Sequence, residues 1–517
     1  MMVPMKKVIA LLFACLAFPG ITLAADYLIT DYGATGNGNR LSTKYIQKAI
    51  DVCSTNGGGR VVVPFGDFLT GTIFLKSRVE LYLQKGAKIS GSKDRADYPR
   101  VAGERGLIFA LNATDVSITG NGEINGNGEA FFKGDNAPDR PFLVMIKKCS
   151  KVLVSGISLK NSAFWTFRLL YNDQVNVEGI NIYAHVNFNN DGLDIDSKNV
   201  TISNCIIDTD DDALCFKSDS SFICENVVVS NCILASNCNF IKMGTASVGG
   251  FKNIGVGNCV LRRASESHFR FWERSVPGVK EPVTGLAGIA LEIVDGGTMD
   301  GININNIVMD GVQTPLFIRL GSRSNPTGSI RNVMISNVTA KSVSRIASSI
   351  TAIPGFRVEN VVLRDLNIQS PGGGEESEYT TKVPEQERAY PENRMFGTSL
   401  PAYGIYLRHV NNISLYNIQF KPTSGEARPA VYIEDGHEIG ISDLKAIAPI
   451  RDAPLIELNE VSGLSFEGYV SNQAIPLLFR IRGSQSNRIN ITGKNDGNIR
   501  RLYELKDSAP KKALTIR

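Results

Sequence analysis

The feature that most narrows the fold of this chain is a repeat. Short runs of alternating apolar residues end in Asn, Asp or Gly. That anchor recurs at Gly120, Gly156, Gly179, Asn204, Asn231, Asn258, Asn306, Asn337, Asp365, Asn417, Asp443, Gly468 and Gly493. Most spacings are 23 to 31 residues. Val200-Thr201-Ile202-Ser203-Asn204 and Val333-Met334-Ile335-Ser336-Asn337 are typical, and their period of two reads as a short strand. One such strand leaves an apolar face uncovered, so the units must stack. A period this short, with no helical periodicity between strands, predicts an all-β parallel solenoid and not a propeller or a helical array. Hairpins of an irregular β-sandwich would not keep so many anchors in register. The polar anchors are expected to stack at one corner of every turn, where amides satisfy each other and the turn carbonyls. A helical pattern at Tyr45, Ile46, Ala49, Ile50 and Cys53, opened by Ser42 and closed by Gly57-Gly58-Gly59, is expected to cap the N-terminal end.

The N-terminus reads as a targeting segment. Lys6-Lys7 precede an apolar run from Val8 to Phe18, then Pro19-Gly20 and Thr22-Leu23-Ala24, which predicts a signal peptide over 1–24 and one exported domain over 25–517, periplasmic or extracellular. Leu12-Phe13-Ala14-Cys15 weakly resembles a lipoprotein box, so soluble and lipid-anchored forms both stay open. The eight later cysteines are too sparse for a disulfide scaffold, and Cys205, Cys232 and Cys259, each 27 residues apart and each after Asn, belong to the repeat. With 55 Lys+Arg against 51 Asp+Glu, the formal charge of +4 leaves no polybasic footprint for nucleic acid. Beyond the N-terminus no apolar run reaches the length of a membrane span, and the expectation is a monomer. Two long gaps between anchors, 262–284 and 371–401, are expected to be loop insertions on one face.

The chemistry concentrates where two repeats meet, in Asn190-Asp191-Gly192-Leu193-Asp194-Ile195-Asp196 and Asp208-Thr209-Asp210-Asp211-Asp212-Ala213-Leu214. Aligning turns by their anchors directs Leu193/Ile195, Leu214/Phe216, Ile241/Met243, Leu291/Ile293, Ile318/Leu320 and Ile405/Leu407 inward together. Asp194/Asp196, Cys215/Lys217, Lys242, Ala290/Glu292, Arg319 and Tyr406/Arg408 then face outward. In that alignment Lys242 and Arg319 share the column of Glu292, with Lys217 and Arg408 in the next. Asp191 and Asp212 occupy equivalent positions one turn, about 4.8 Å, apart. Carboxylates so close do not all ionise readily, so at least one is expected to keep its proton near neutrality. Glycosidic cleavage needs that pairing: a protonated carboxyl for the leaving oxygen and carboxylates that orient and deprotonate a water. Clustered Asp oxygens also suit calcium.

At these residues the chain resembles glycoside hydrolase family 28, the polygalacturonases and rhamnogalacturonases. The likeness rests on Asn189-Asn190-Asp191-Gly192-Leu193-Asp194, followed by Asp211-Asp212 before an apolar strand, and it extends from Asp31-Tyr32-Gly33-Ala34 and 57–64 to about residue 445. The resemblance implies a right-handed parallel β-helix, a pectic polysaccharide or oligosaccharide as substrate, and hydrolysis with inversion, without cofactor or metal. Asp211 would be the general acid, with Asp191 and Asp212 holding and activating the water. The outward columns nominate Asp194, Lys217, Asn239, Lys242, Glu292, Arg319, Tyr406 and Arg408 as substrate contacts. Two positions depart from the polygalacturonase pattern: Cys238-Asn239-Phe240 stands for Gly-His-Gly, and Ala290-Leu291-Glu292 for Arg-Ile-Lys. These changes favour the branch acting on rhamnogalacturonan or decorated pectin. The histidines, at 185, 268, 409 and 437, are expected to be structural or exposed, whereas Phe269, Phe271, Trp272 and Tyr406 are candidates to stack on sugar. Two other readings compete: a Ca²⁺-dependent polysaccharide lyase with Lys217, Lys242 or Arg319 as base, and a non-catalytic glycan-binding solenoid.

Overall fold

The computed structural model describes residues 26–517 except 133–138, 270–275, 277–278, 280–284, 324–326, 391–392, 451, 470–472, 493–497 and 517. The segment expected to be a signal peptide, the anchor Gly493, and Phe271 and Trp272 lie outside the described residues.

The chain is all-β, and every pairing between its named strands is parallel. Each strand bonds to the one that follows it one coil later, so the chain winds as a stack of parallel turns. Leu193 pairs with Leu214, Leu214 with Ile241, Ile241 with Ile289 and Ile289 with Leu316. These side chains are fully buried and form one rung of a continuous core that runs from Ile29 to Ile491. Alternation along each strand supplies the inward residues, and stacking removes their apolar area from water at roughly 25 cal/mol per Å². The helix α1 (Thr43–Thr55) packs Ile46, Ala49, Ile50 and Cys53 into the same core beside the first strands. It begins one residue after Ser42, whose hydroxyl accepts the Thr35 N–H (3.3 Å) instead of capping the helix.

The anchors have a backbone reason for their chemistry. All twelve described ones adopt left-handed φ, for example Asn204 at 58°, Asn306 at 54°, Asp365 at 55° and Gly468 at 70°. Asn, Asp and Gly pay least for that conformation because a short polar side chain, or none, avoids the Cβ clash. The expected amide ladder forms in part: Asn306 Nδ2 donates to Asn258 Oδ1 (3.0 Å), Asn337 to Asn306 (3.1 Å) and Asn417 to Asp365 (2.6 Å). A second corner, which the sequence pattern does not disclose, stacks Asn199, Asn226 and Asn253, and later Asn332, Asn360 and Asn412, again with left-handed φ. Cys205, Cys232 and Cys259 each follow a left-handed Asn and are buried as free thiols.

The second insertion is a packed layer. It contains the helix α2 (Glu376–Thr380), and its Val383, Phe396 and Leu400 join Ala290, Phe317 and Tyr406 of the coils in a satellite core. Among the described residues no helix is long and apolar enough to cross a membrane.

Candidate active site

The acidic wall is built from the ends of consecutive coils. Gly192 N–H donates to the Asp212 carbonyl (2.8 Å), which sets Asp191 and Asp212 one turn apart as the sequence spacing predicts. The peptide of Asp211 is pinned twice, its carbonyl accepting from Thr209 Oγ1 (2.7 Å) and Ser236 Oγ (2.6 Å). Its carboxylate accepts the Asp212 N–H at 2.9 Å. Asp191, Asp194, Asp211 and Asp212 are all buried, and at Asp191, Asp194 and Asp212 burial and close neighbours govern the charge more than water does.

Two lysines divide the wall. Lys242 Nζ lies 2.8 Å from Asp212 Oδ2, while Asp212 Oδ1 accepts the Asn239 amide (2.8 Å) and backbone N–H (3.1 Å). Burial by itself would raise Asp212, but Lys242 and Lys217 reverse that and hold it below the usual carboxylate range. Lys217 sits between Asp191 (3.4 Å) and Asp194 (3.3 Å), contacts suited to ion pairing but too long and oblique for strong hydrogen bonds. Burial pushes Asp191 well above its ordinary value, with the charge of Asp194 adding to it. Burial likewise pushes Asp194 to about 6, against the pull of Lys217. The expected split of proton affinity is therefore present, and its chief cause is desolvation, with like-charge crowding second. The wall holds one carboxylate ionised and its neighbour one turn away biased to the acid form.

The strand register separates residues that alignment by anchors put together. Lys242 pairs with Cys215 and Ala290, whereas Glu292 pairs with Arg319, and the column continues through Thr351 to Arg408. Lys242 is thus in the column of Asp194 and not in that of Glu292 and Arg319. A two-residue slip caused the misplacement: it leaves every side chain on its own face, so an alternation pattern does not detect it. Glu292 is fully buried, and Gly244 packs against its strand so closely that a Cβ there would lie 2.6 Å from the Glu292 carbonyl.

Three nominated contacts are turned away from any substrate. Arg319 is fully buried and donates to the carbonyls of Ala352 (3.0 Å), Glu385 (3.0 Å) and Gln386 (2.9 Å). Arg408 donates to Val383 and Pro384 carbonyls, both at 2.9 Å. Both guanidinium groups face the ring of Phe396. Tyr406 is buried and donates to Glu434 Oε2 (2.6 Å), so it offers no ring to a sugar. Asn239 serves Asp212 directly, as described above. Asp194, Lys217 and Lys242 remain together with the acids.

Other residues at the wall escaped notice in the sequence. Trp165 lies under Lys217 (4.4 Å from Nζ to the ring centre) and Arg168 (5.1 Å), and it stacks on Phe164. Arg168 pairs in register with Asp194 and lies 3.8 Å from Asp196. Arg140 is buried and donates to Asn187 Oδ1 (3.2 Å) and Asn189 Oδ1 (2.8 Å), fixing the segment that enters Asp191. Phe269, which the sequence nominates to stack on sugar, packs against Phe132 and Phe188 in an aromatic cluster with ring centres 4.8 to 5.8 Å apart. Beneath it, the chain past Arg262 is tied down through Asp208, which accepts from His185 (3.0 Å), Arg262 (3.0 Å) and the Ser265 N–H (3.0 Å). His185 is structural, as expected. None of these arginines or aromatics sits in a repeated spacing; Arg140 and Trp165 come from turns between strands.

Among the described residues, two groups of ligand atoms fall within 4.8 Å of one another, Asp191/Asp194/Cys215 and Asp211/Asp212/Cys238. They fit a hard cation poorly. Lys217 and Lys242 already compensate the carboxylates, and burial holds the Cys215 thiol well above its ordinary value, hence neutral.

Comparison with known proteins agrees with this geometry. Residues 53–262 match the family described as Glycosyl hydrolases family 28. A probable polygalacturonase of Vitis vinifera is 34% identical over 214 residues, which cover 37% of this chain and 44% of that protein. An exo-poly-alpha-D-galacturonosidase of Dickeya chrysanthemi is 30% identical over 250 residues, 36% of this chain and 41% of that protein. The chain thus spans less than half the length of these curated relatives. In fold it is similar to a hyperthermoactive exopolygalacturonase from Thermotoga maritima, with TM-score 0.59 and 22% identity over 77% of this chain and 92% of that one. It is also similar to PfbA, a surface adhesin of Streptococcus pneumoniae, with TM-score 0.56 and 18% identity over 80% and 94%. Likeness at such low identity to the two solved structures carries the solenoid fold alone, and the acidic wall lies within residues 53–262, the segment that matches glycosyl hydrolases family 28.

Proposed function

We propose that the chain is an exported, monomeric hydrolase that cleaves glycosidic bonds of a pectic glycan, of polygalacturonan or rhamnogalacturonan type, with inversion. The observation that carries this reading is the wall of three buried carboxyl groups, Asp191 and Asp212 one turn apart with Asp211 beside them, in which Lys242 holds Asp212 ionised. Inverting hydrolysis needs such a grouping, with an ionised base for the water and a protonated acid for the leaving oxygen. Asp212, kept ionised by Lys242 and oriented by Asn239, suits the base. Asp191 shares the water, and Asp211, fixed beside them at the wall, serves as the acid in the role its family resemblance implies. Lys217, which lies over Trp165, and Lys242 beside Asp212 suit a substrate that carries carboxylates on a sugar ring.

The packed insertion supports attack from a chain end. Ala290, which follows Lys242 in its column, and Phe317 after it are buried under Val383, Phe396 and Leu400, so the groove is roofed one turn beyond Lys242. A right-handed coil with α1 as its cap, and export directed by residues 1–24, complete the proposal.

The deciding experiment is mass spectrometry of polygalacturonan and rhamnogalacturonan digests, with and without chelator, beside Asp211→Asn. The expected product is saturated, insensitive to chelator and absent with the variant. An unsaturated, chelator-sensitive product would replace this reading with a calcium-dependent lyase, and the absence of product on both polymers would replace it with a glycan-binding solenoid.

A further inference from the structure

A second hollow, of about 360 Å³, lies on the same outward face, under the far edge of the insertion. Stepping along the column from Lys242 through Ala290, Phe317, Ser349 and Tyr406 reaches Tyr432 at its floor, five strand spacings or roughly 24 Å away. Successive coils supply the rest of the floor: Glu434 beside Tyr432, then Glu457 and Asn459, then Arg482. The roof is the insertion itself, from Tyr379 to Val383.

Part of this lining is rigidly built. Glu457 is fully buried and accepts from Tyr379 Oη (2.5 Å) and Arg482 Nε (2.6 Å), and Arg480 donates to the same phenol (2.7 Å). The rest is turned to the hollow and lightly used. Glu434 is half-buried and holds the Tyr406 hydroxyl and, at 3.5 Å, the Asn459 amide. Tyr432 is half-buried, and its hydroxyl makes no hydrogen bond among the described residues. Lys382 is exposed and makes no ion pair among the described residues. An aromatic ring, a carboxylate acceptor, an amide and an ammonium converge on a space within the usual range for small ligands. That combination suits a pyranose, which offers one C–H face and a belt of hydroxyls, and it suits a lipid or an apolar metabolite poorly.

We propose that this hollow is a second, non-catalytic site that binds a sugar ring of a glycan chain. The site is independent of the acidic wall and of the reaction assigned to it. The test is calorimetric titration of the full chain with galacturonic acid and with galactose, beside Tyr432→Ala and Thr381→Trp, with turnover of a short pectic oligosaccharide measured for each protein. Thr381 is exposed at the roof, so the Trp substitution fills the mouth without disturbing the core. The native chain is expected to bind at least one of the two sugars, and both variants to weaken that binding tenfold or more at unchanged turnover. Lys382→Ala should weaken galacturonic acid alone if the carboxylate is read, and neither sugar if only hydroxyls are. Failure of both sugars to bind, or binding that survives Thr381→Trp, would overturn the proposal, and the latter decides even if Tyr432→Ala does not fold. Sugar binding sensitive to Thr381→Trp in a chain without turnover would leave this site standing and remove the hydrolase reading instead.

Discussion

Asp194 shows how burial sets the chemistry of single residues here. Its carboxyl is pushed up to about 6 by desolvation, from 3.8, despite Lys217 at 3.3 Å. The folded chain therefore binds more protons than the unfolded one between those values, and its stability falls as pH rises through that window. The loss is about 3 kcal/mol at most, complete above the folded value. Asp212, held low, acts in the opposite sense: its contribution is present above the ordinary carboxylate value and is lost as pH falls below it. Asp194→Asn removes the first effect and leaves the Lys242 contact that chiefly holds Asp212 low. Urea melts at pH 4, 5, 6 and 7.5 should show the variant gaining on the native chain up to about pH 6 and holding level after that, on top of a constant offset from the Lys217 contact. A stability difference that is flat across the series would show that Asp194 ionises normally. Asp191 and Asp212 were legible as a pair from spacing. The lysines that bias them were visible only as outward residues, because a sequence does not state which of several cations reaches which acid.

At the scale of the element, the coil is held by left-handed corners. Asn306 has φ of 54°, donates to Asn258 and accepts from Asn337. Alanine there pays roughly 1–2 kcal/mol for its Cβ and forfeits two exposed amide bonds worth about 0.5–1 kcal/mol each. Glycine avoids the Cβ clash and forfeits the bonds together with about 0.5–1 kcal/mol of backbone entropy. Guanidinium melts should therefore rank native above Asn306→Gly and Asn306→Ala last, the reverse of the order in a helix. Equal stability of the two variants would mean that the ladder and not the backbone selects asparagine. The first set of corners was readable because each closes an alternating strand. The second, at Asn199, Asn226 and Asn253, interrupts strands that continue past it, and so carries no boundary signal.

At the scale of the whole molecule, the 371–401 insertion determines how much of the face is open. Arg319 and Arg408 tie it down through backbone carbonyls, with Phe396 against both guanidinium groups. Losing either arginine leaves buried carbonyls without donors and loosens the roof. On the proposed function, Arg408→Ala is expected to shift polygalacturonan digestion from release of terminal sugars toward internal cuts, with viscosity falling several-fold faster per bond cleaved. An unchanged ratio of viscosity loss to bonds cleaved would show that the insertion does not set the mode of attack. The sequence by itself determined the parallel coil, its core-facing residues and the meeting of Asp191, Asp211 and Asp212, because period-two alternation and repeat length are local properties of the chain. Only the tertiary structure decided that Lys242 stands apart from the column of Glu292 and Arg319, and that Arg319, Tyr406 and Arg408 face the insertion. A strand may slip by two residues with every side chain still on its own face, and an insertion finds its docking place through contacts far apart in sequence.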